Sequence, residues 1–551
     1  MAQKQLSLAK ERVILRINEF NTKFDEFMNK HKCQKEFMEE ILSKKLEELV
    51  ECQSKKEVRY TATDLLITFV NKSRAVTSEF NCIQYFFVEA LKRAEELDNL
   101  SNDEKDRLPL FGLPFSVKGN FFMPGYPCDC GLTKKYNEIE TKKNSIVEHL
   151  ESLGGNPFCY TTVPQALISL CCSSPLYGVT KNPYNKECTP GGSSGGEACL
   201  VATGGTPFGI GSDLAGSLRI PAAMCGISTV KPCKETLFAL HSEKGLGGLS
   251  CLALCFGFFT KYAYQQELLW KIFFRDDSYC KKVPLNIPGG IKFDNFVKPK
   301  KIAYFKTTGF IDTVPSNRRA VNDVLEVLKK DGCQVVEFKL PDGVELAKMV
   351  FNLILSDNGD WLCKSYQGEV VDEFIKPFYR AVLVPQFIKN LSSYITQWIS
   401  PQISVMSSVG ISDTISLREV HNKVERMKQD FISQFQVEGF DFIICPTFPI
   451  PGVPFQNIAY LGATALDTAL WNALDFPAGI LTTDRVIDED IVKLDEEYKN
   501  VGWNLLLKNV YDGCKTSLGM PIGVQVVTLP YQEGKLIQFM SYIENLMSKK
   551  D

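Results

Sequence analysis

The chain holds 551 residues, 44% of them hydrophobic and 23% charged, with a net charge of −3 at pH 7. That length is ample for a large core, and the composition is globular rather than disordered. The near-balanced charge gives no basic field for nucleic acid, and no polybasic run or nucleic-acid-binding motif occurs, so no nucleic-acid partner is expected.

The first residues, MAQKQLSLAKERV, lack a signal-peptide core. The uncharged stretch Gly245 to Thr260 is too short to span a bilayer and reads as a buried segment. A cytoplasmic location is expected, and the 19 Cys then read as free thiols in a reducing compartment. Cys128/Cys130 and Cys171/Cys172 have the wrong spacing for zinc, so no metal and no other cofactor are expected.

Residues 10–50 read as helical, because Val13, Ile17, Phe20, Phe24 and Phe27 recur at three- and four-residue steps between charges. They predict a helical N-terminal arm, residues 1–60, packed on the body by one apolar stripe. Residues 61–98 predict two more helices, and LSNDEKDR (100–107) a polar loop. LPLFGLPFSVKGN (108–120) predicts a buried strand ending at Lys118. IVEHLESLGG (146–155) predicts a helix stopped by glycines, with FCYTTV a strand after it. Residues 182–226 are rich in Gly, Ser and Pro, which pack a helix face poorly but let backbone N–H groups approach a ligand. KIAYF, a helix at 316–331 and QVVEF give strand–helix–strand order. In FIKPFYRAVLVPQFIKNLSSYITQWIS (374–400), Phe387, Leu391, Tyr394 and Trp398 recur at helical spacing beside Ile388, Ile395 and Ile399, between Pro385 and Pro401. Lys376, Arg380 and Lys389 lie nearby; such a face suits core packing or a membrane surface. FDFIICPTFPIP (440–451) and MPIGVQVV (520–527) predict buried strands, and KLIQFMSYIENLM a closing helix. The order predicts one large α/β domain over 61–545.

The densest chemistry is TPGGSSGGEACL (189–200) followed by GIGSDLAGSLRIP (209–221). A phosphate cradle would need the Lys-Ser/Thr ending of a P-loop, or a GxGxxG after a strand, and has neither. Gly191-Gly192-Ser193-Ser194-Gly195 matches the GxSxG elbow in its letters, but an elbow needs a strand directly before the serine, and NPYNKECTPG cannot supply one. A Ser-His-Asp enzyme would draw its base from only four His: His31, His149, His241 and His421.

The run GGSSGGEACLVATGGTPFGIGSDLAGSLRIP resembles the amidase signature, and the flanking text is most similar to the fatty-acid amide hydrolase branch of that family. The resemblance continues through PLFGLPFSVKGN, VPQALISLCCSSPLYGVTKNPY, DFIICPTFPIP, NALDFPAGI and SLGMPIGVQVV, or residues 60–545. It implies an α/β fold with a large mixed, twisted β-sheet core surrounded by helices. It also implies a Ser-Ser-Lys triad: Ser217 as nucleophile, Ser193 as proton shuttle and Lys118 as base. The chemistry agrees, since a serine hydroxyl needs a base and a lysine can serve only if burial lowers its pKa from about 10.4. By the same resemblance, N–H groups of Leu214, Ala215, Gly216 and Ser217 receive the oxyanion, Asp213 and Arg219 form a supporting pair, and the Gly192–Ser193 peptide is cis. Leu167, Ile168 and Leu170 would line part of an acyl channel.

The activity this implies is hydrolysis of fatty-acid amides, such as N-acylethanolamines, through an acyl-enzyme. Monoacylglycerol ester hydrolysis, an amidotransferase subunit acting on a glutamyl-tRNA, and a non-catalytic lipid-binding relative are the alternatives. The resemblance further implies that 374–400 is a hydrophobic cap giving peripheral contact with the cytosolic face of intracellular membranes, and that the chain dimerises. Three places depart from the pattern: Ala215 stands where close relatives carry Gly, GFFTK (257–261) replaces Gly-Pro-x-x-Arg, and YTTVP (160–164) lacks the usual Asn.

Overall fold

The computed structural model describes residues 1–54, 60–249, 251–252 and 254–549. Its strands in chain order are β1 (Ile83–Phe86), β2 (Pro114–Lys118), β3 (Asn156–Thr161), the short pair β4 (Ser173–Ser174) and β5 (Gly178–Val179), β6 (Gly209–Asp213), β7 (Ser228–Lys231), β8 (Cys255–Thr260), β9 (Lys301–Tyr304), β10 (Gln334–Glu337), β11 (Phe442–Pro446), β12 (Ala478–Arg485) and β13 (Pro521–Val527). All but β4 and β5 join one eleven-stranded sheet in the order β1-β3-β2-β6-β8-β7-β12-β13-β11-β9-β10. The sheet is mixed: β2 runs parallel to β3 and β6, and β9 to β10 and β11, while the other pairs are antiparallel. Helices cover it, so central strands such as β2, β6 and β13 are buried along their whole length.

The arm is three helices, Ala2–His31, Lys35–Ser43 and Leu46–Ser54, rather than one continuous helical run. Its stripe is buried at Val13, Phe20, Phe24 and Phe27, and Phe20 stacks on Phe86 of β1 at 4.8 Å between ring centres. The arm therefore shares the main apolar core instead of resting beside it. Between the helices Ala62–Phe80 and Glu89–Asp98 lies β1, which the helical reading of 61–98 passed over. The polar loop at 100–107 contains a one-turn helix, Asn102–Lys105, closed by a reciprocal Ser101–Glu104 capping box. The glycine-rich stretch does hold a packed helix, Gly195–Ala202, buried through Val201. Its glycines are what let it lie close: a Cβ on Gly196 would sit 2.5 Å from the Thr162 backbone nitrogen.

Segment 374–400 forms the helices Lys376–Val382 and Gln386–Thr396, with a third, Pro401–Ser408, after Pro401. Pro385 sets the start of the middle helix as expected. Its apolar face points outward: Phe387 is 73% exposed and Trp398 86%, with Leu391, Tyr394 and Ile395 also exposed. Lys389 turns the other way, buried against Asn358 Oδ1 at 3.1 Å, so it adds no charge to that face. No helix among the described residues is long and apolar enough to cross a membrane.

Candidate active site

Parallel pairing of β2 with β6 sets the last residue of β2, Lys118, beside the end of β6. Both strands are central, so Lys118 is fully buried at 0% exposure. Its Nζ has three neighbours: Ser193 Oγ at 2.9 Å, Ser212 Oγ at 3.0 Å and the Ser212 carbonyl at 3.1 Å. A neutral amine has two hydrogens and one lone pair. As a charged donor Lys118 gives one hydrogen to each of these three oxygens; once neutral it would keep two for the Ser212 oxygens and turn its lone pair to Ser193. Ser212 was missed in the sequence, where it is one more polar letter in GIGSD; its buried place at the end of β6 follows only from the pairing of β6 with β2 and β8. Asn120 Nδ2 donates to the same Ser212 hydroxyl at 3.1 Å and fixes it.

Desolvation lowers the Lys118 pKa from 10.5 to about 8. Two neighbours that could hold a positive charge there are themselves pushed toward their neutral forms by burial, Cys172 to about 11 and Glu197 to about 8. Asp213 is ionised but committed elsewhere. Burial opposes its charge, yet the Arg219 guanidinium more than offsets this and holds the carboxyl well below its usual range.

Ser193 sits before the N-terminus of the helix Gly195–Ala202, after a cis Gly192–Ser193 peptide. Cys172 Sγ accepts from the Gly195 N–H at 3.1 Å and lies 3.5 Å from the Ser193 carbonyl, bracing the turn. Ser217 lies between β6 and the short helix Arg219–Met224 and is half-buried. Among the described residues its hydroxyl makes no hydrogen bond, to Ser193 or to any other group, so it is free to meet a ligand.

The loop around Ser217 is shaped by Asp213. Its carboxylate accepts from the Gly216 N–H at 2.7 Å and the Leu218 N–H at 3.1 Å, and pairs with Arg219 Nε at 3.0 Å. The Gly216 N–H is thus engaged by Asp213, while the N–H groups of Leu214, Ala215 and Ser217 make no bond among the described residues. Gly216 adopts φ 127°, and a Cβ there would meet Thr468 Oγ1 at 2.2 Å, so only glycine fits. Ala215 keeps its side chain clear of that clash; its carbonyl accepts from Thr468 Oγ1 at 2.8 Å.

Of the three expected channel residues, Leu167 belongs to the apolar cluster of Cys128, Cys130 and Val163, Ile168 packs on the cluster that holds Leu362 and Tyr366, and Leu170 lies in the larger cluster that holds Ile220 and Leu252. A cavity of about 300 Å³ opens beside Leu214, lined mainly by apolar side chains, among them Phe238, Leu246, Leu252, Leu254 and Phe256, with Lys244 the one charged residue on its wall among the described residues. Its lining comes mostly from the uncharged stretch 245–260, where hydropathy alone gives no sign of a hollow.

Two of the four His are held elsewhere, His31 on Glu95 at 2.8 Å and His149 on the Phe273 carbonyl at 2.9 Å. Among the described residues no group of three or more His, Cys, Asp or Glu could hold a metal.

Known proteins resemble this chain along most of its length. The family described as Amidase matches residues 64–537. Fatty acid amide hydrolase 1 of Caenorhabditis elegans is 29% identical over 499 residues, covering 89% of this chain and 86% of that protein. Fatty-acid amide hydrolase 1 of Sus scrofa is 29% identical over 460 residues, covering 80% and 76%. A solved structure of a fatty acid amide hydrolase superposes with a TM-score of 0.81 over 99% of this chain and 95% of its own, at 22% identity.

Proposed function

Since the chain belongs to the amidase family and is an amide-hydrolysing enzyme, we propose that it cleaves fatty-acid amides to a free fatty acid and an amine, with Ser217 as nucleophile, Ser193 as proton shuttle and Lys118 as base. The observation that carries the roles is the contact of 2.9 Å between a fully buried lysine and Ser193 Oγ. Neutral Lys118 takes the Ser193 proton while Ser193 takes that of Ser217. Ser217 Oγ then attacks the amide carbon, and the oxyanion draws on the free N–H groups of Leu214, Ala215 and Ser217. One such donor is typically worth ~3–4 kcal/mol. The relay reverses to protonate the leaving nitrogen, the C–N bond breaks, and water hydrolyses the acyl-enzyme.

The fatty acyl reading is supported by the apolar cavity beside Leu214 and by the names of the two animal relatives. The outward apolar face of 386–399 supports peripheral docking on a lipid surface, from which such a substrate would be drawn. A serine-reactive fluorophosphonate tests the roles. It labels Ser217, at a rate that rises with pH through about 8 as Lys118 loses its proton. Lys118→Ala flattens that dependence and slows labelling roughly hundredfold or more. Labelling of another residue, or a rate in Lys118→Ala equal to wild type, contradicts the assignment.

A further inference from the structure

Glu197 is a carboxylate with no solvent exposure and no part in the relay above. It lies in the first turn of the helix Gly195–Ala202, which begins two residues after Ser193. Its two oxygens take hydroxyl donors from two adjacent strands. Ser116 Oγ of β2 donates to Oε1, and Thr161 Oγ1 of β3 donates to Oε2 at 2.5 Å. On the next strand, β6, a Cβ at Gly209 would sit 1.7 Å from Oε1, so the missing side chain is the carboxylate's seat. Ser116 and Lys118 are alternate residues of β2 and share a face, and Thr161 is the register partner of Lys118. One side chain therefore spans three neighbouring strands and ties them to the helix that follows Ser193.

From this placement we propose that Glu197 is a positioning residue for the Lys118–Ser193 pair, fixing the helix behind Ser193 on the strand that carries Lys118 and biasing the charge state of that lysine. The proposal rests on Lys118 as base. The distance between Lys118 and Ser193 is set by how two separate elements dock, and hydroxyl bonds at both oxygens of a buried carboxylate fix that docking more tightly than apolar contact alone. Charge adds a second effect. An ionised Glu197 favours the protonated lysine, whereas a neutral group at 197 favours the free base. The other titratable groups facing Lys118 are Cys130, Cys172 and Asp213. Of these, Asp213 is neutralised by Arg219, and the Cys172 thiol is held neutral by burial. Facing Glu197 besides Lys118 is the Cys159 thiol of β3, also pushed well above its usual value by burial. Burial pushes Glu197 itself up to about 8, so it ionises over the same range in which Lys118 loses its proton, and its charge bears on that step.

The test uses the full-length enzyme and a long-chain N-acylethanolamide. Glu197→Gln keeps the volume and removes the ionisable group; the acid limb of kcat/KM moves to lower pH by about one unit. Thr161→Val keeps the shape and removes one arm of the clamp; kcat falls roughly tenfold to a hundredfold with KM little changed, as misplacement of a reacting pair requires. Both results are required. An acid limb in Glu197→Gln that coincides with wild type, or a wild-type kcat in Thr161→Val, overturns the proposal, even if either variant melts at a lower temperature. Lys118→Ala is run alongside: a wild-type kcat there sinks the assignment of the base, which the Glu197 variants do not address.

Discussion

Asp213 serves four partners with two oxygens, the Asn472 amide at 2.9 Å among them. It orders the loop through the N–H groups of Gly216 and Leu218, and it neutralises Arg219, whose remaining donors reach the Thr468 carbonyl at 2.8 Å and Gln525 Oε1 at 2.8 Å. Both members of the ion pair are fully buried. Such a pair adds little net stability, but breaking it strands a charge in the interior, at a cost of about 3–5 kcal/mol. Asp213→Asn is therefore expected to lower the denaturant midpoint by a large fraction of the total stability and to release the Gly216 N–H. Chemical denaturation checks this, and a midpoint equal to wild type would mean that Arg219 has another counter-charge. At this scale the sequence carries residue types and their order but not occupancy. Lys118, Ser193, Ser217, Asp213 and Arg219 stand out by motif. That the Gly216 N–H is spent depends on how one loop folds back on Asp213, and that Ser212 holds the lysine and Glu197 bridges three strands depends on contacts between elements far apart in the chain.

Elements with a strong repeating pattern were legible, and those shaped by tertiary context were not. The 20/24/27 stripe and the buried text of β2, β11 and β13 announce themselves by period and composition. β1 is four residues between two helices, and its strand state comes from pairing with β3. The helix Gly195–Ala202 opens with two glycines of poor helix propensity and persists because it is buried nearly all round. The outward face of 386–399 was legible as a pattern but ambiguous in meaning, since its spacing suits a core as well as a lipid surface. The structure leaves Phe387, Leu391, Tyr394 and Trp398 in solvent, and the Ser400 hydroxyl donates to Asn504 Oδ1 at 2.9 Å, which brings the 91%-exposed Trp503 to the same neighbourhood. The double variant Phe387→Glu, Trp398→Glu is expected to cut co-sedimentation with phospholipid vesicles severalfold while shifting the melting temperature little, because exposed positions contribute within about 0.5 kcal/mol each. Undiminished vesicle binding would remove this face from the lipid-docking account.

Across the whole molecule, the active-site parts come from both the strand and loop sides of one sheet. Arg219 ties the Ser217 loop to β13 through Gln525, and the arm packs over β1 at the sheet edge. The arm and the sheet bury a common core, so deletion of residues 1–31 exposes Phe86 and its neighbours and is expected to lower the melting temperature by several degrees or make the protein insoluble. A truncated protein with wild-type melting would show the arm to be an appendage. The most direct test of the central claim is turnover of a long-chain N-acylethanolamide and its matched glycerol ester by wild type and by Ser217→Ala. The account predicts amide cleavage by wild type, with loss of at least about a thousandfold in the variant. Amide cleavage by Ser217→Ala at the wild-type rate, or ester cleavage with no amide cleavage by wild type, would contradict it.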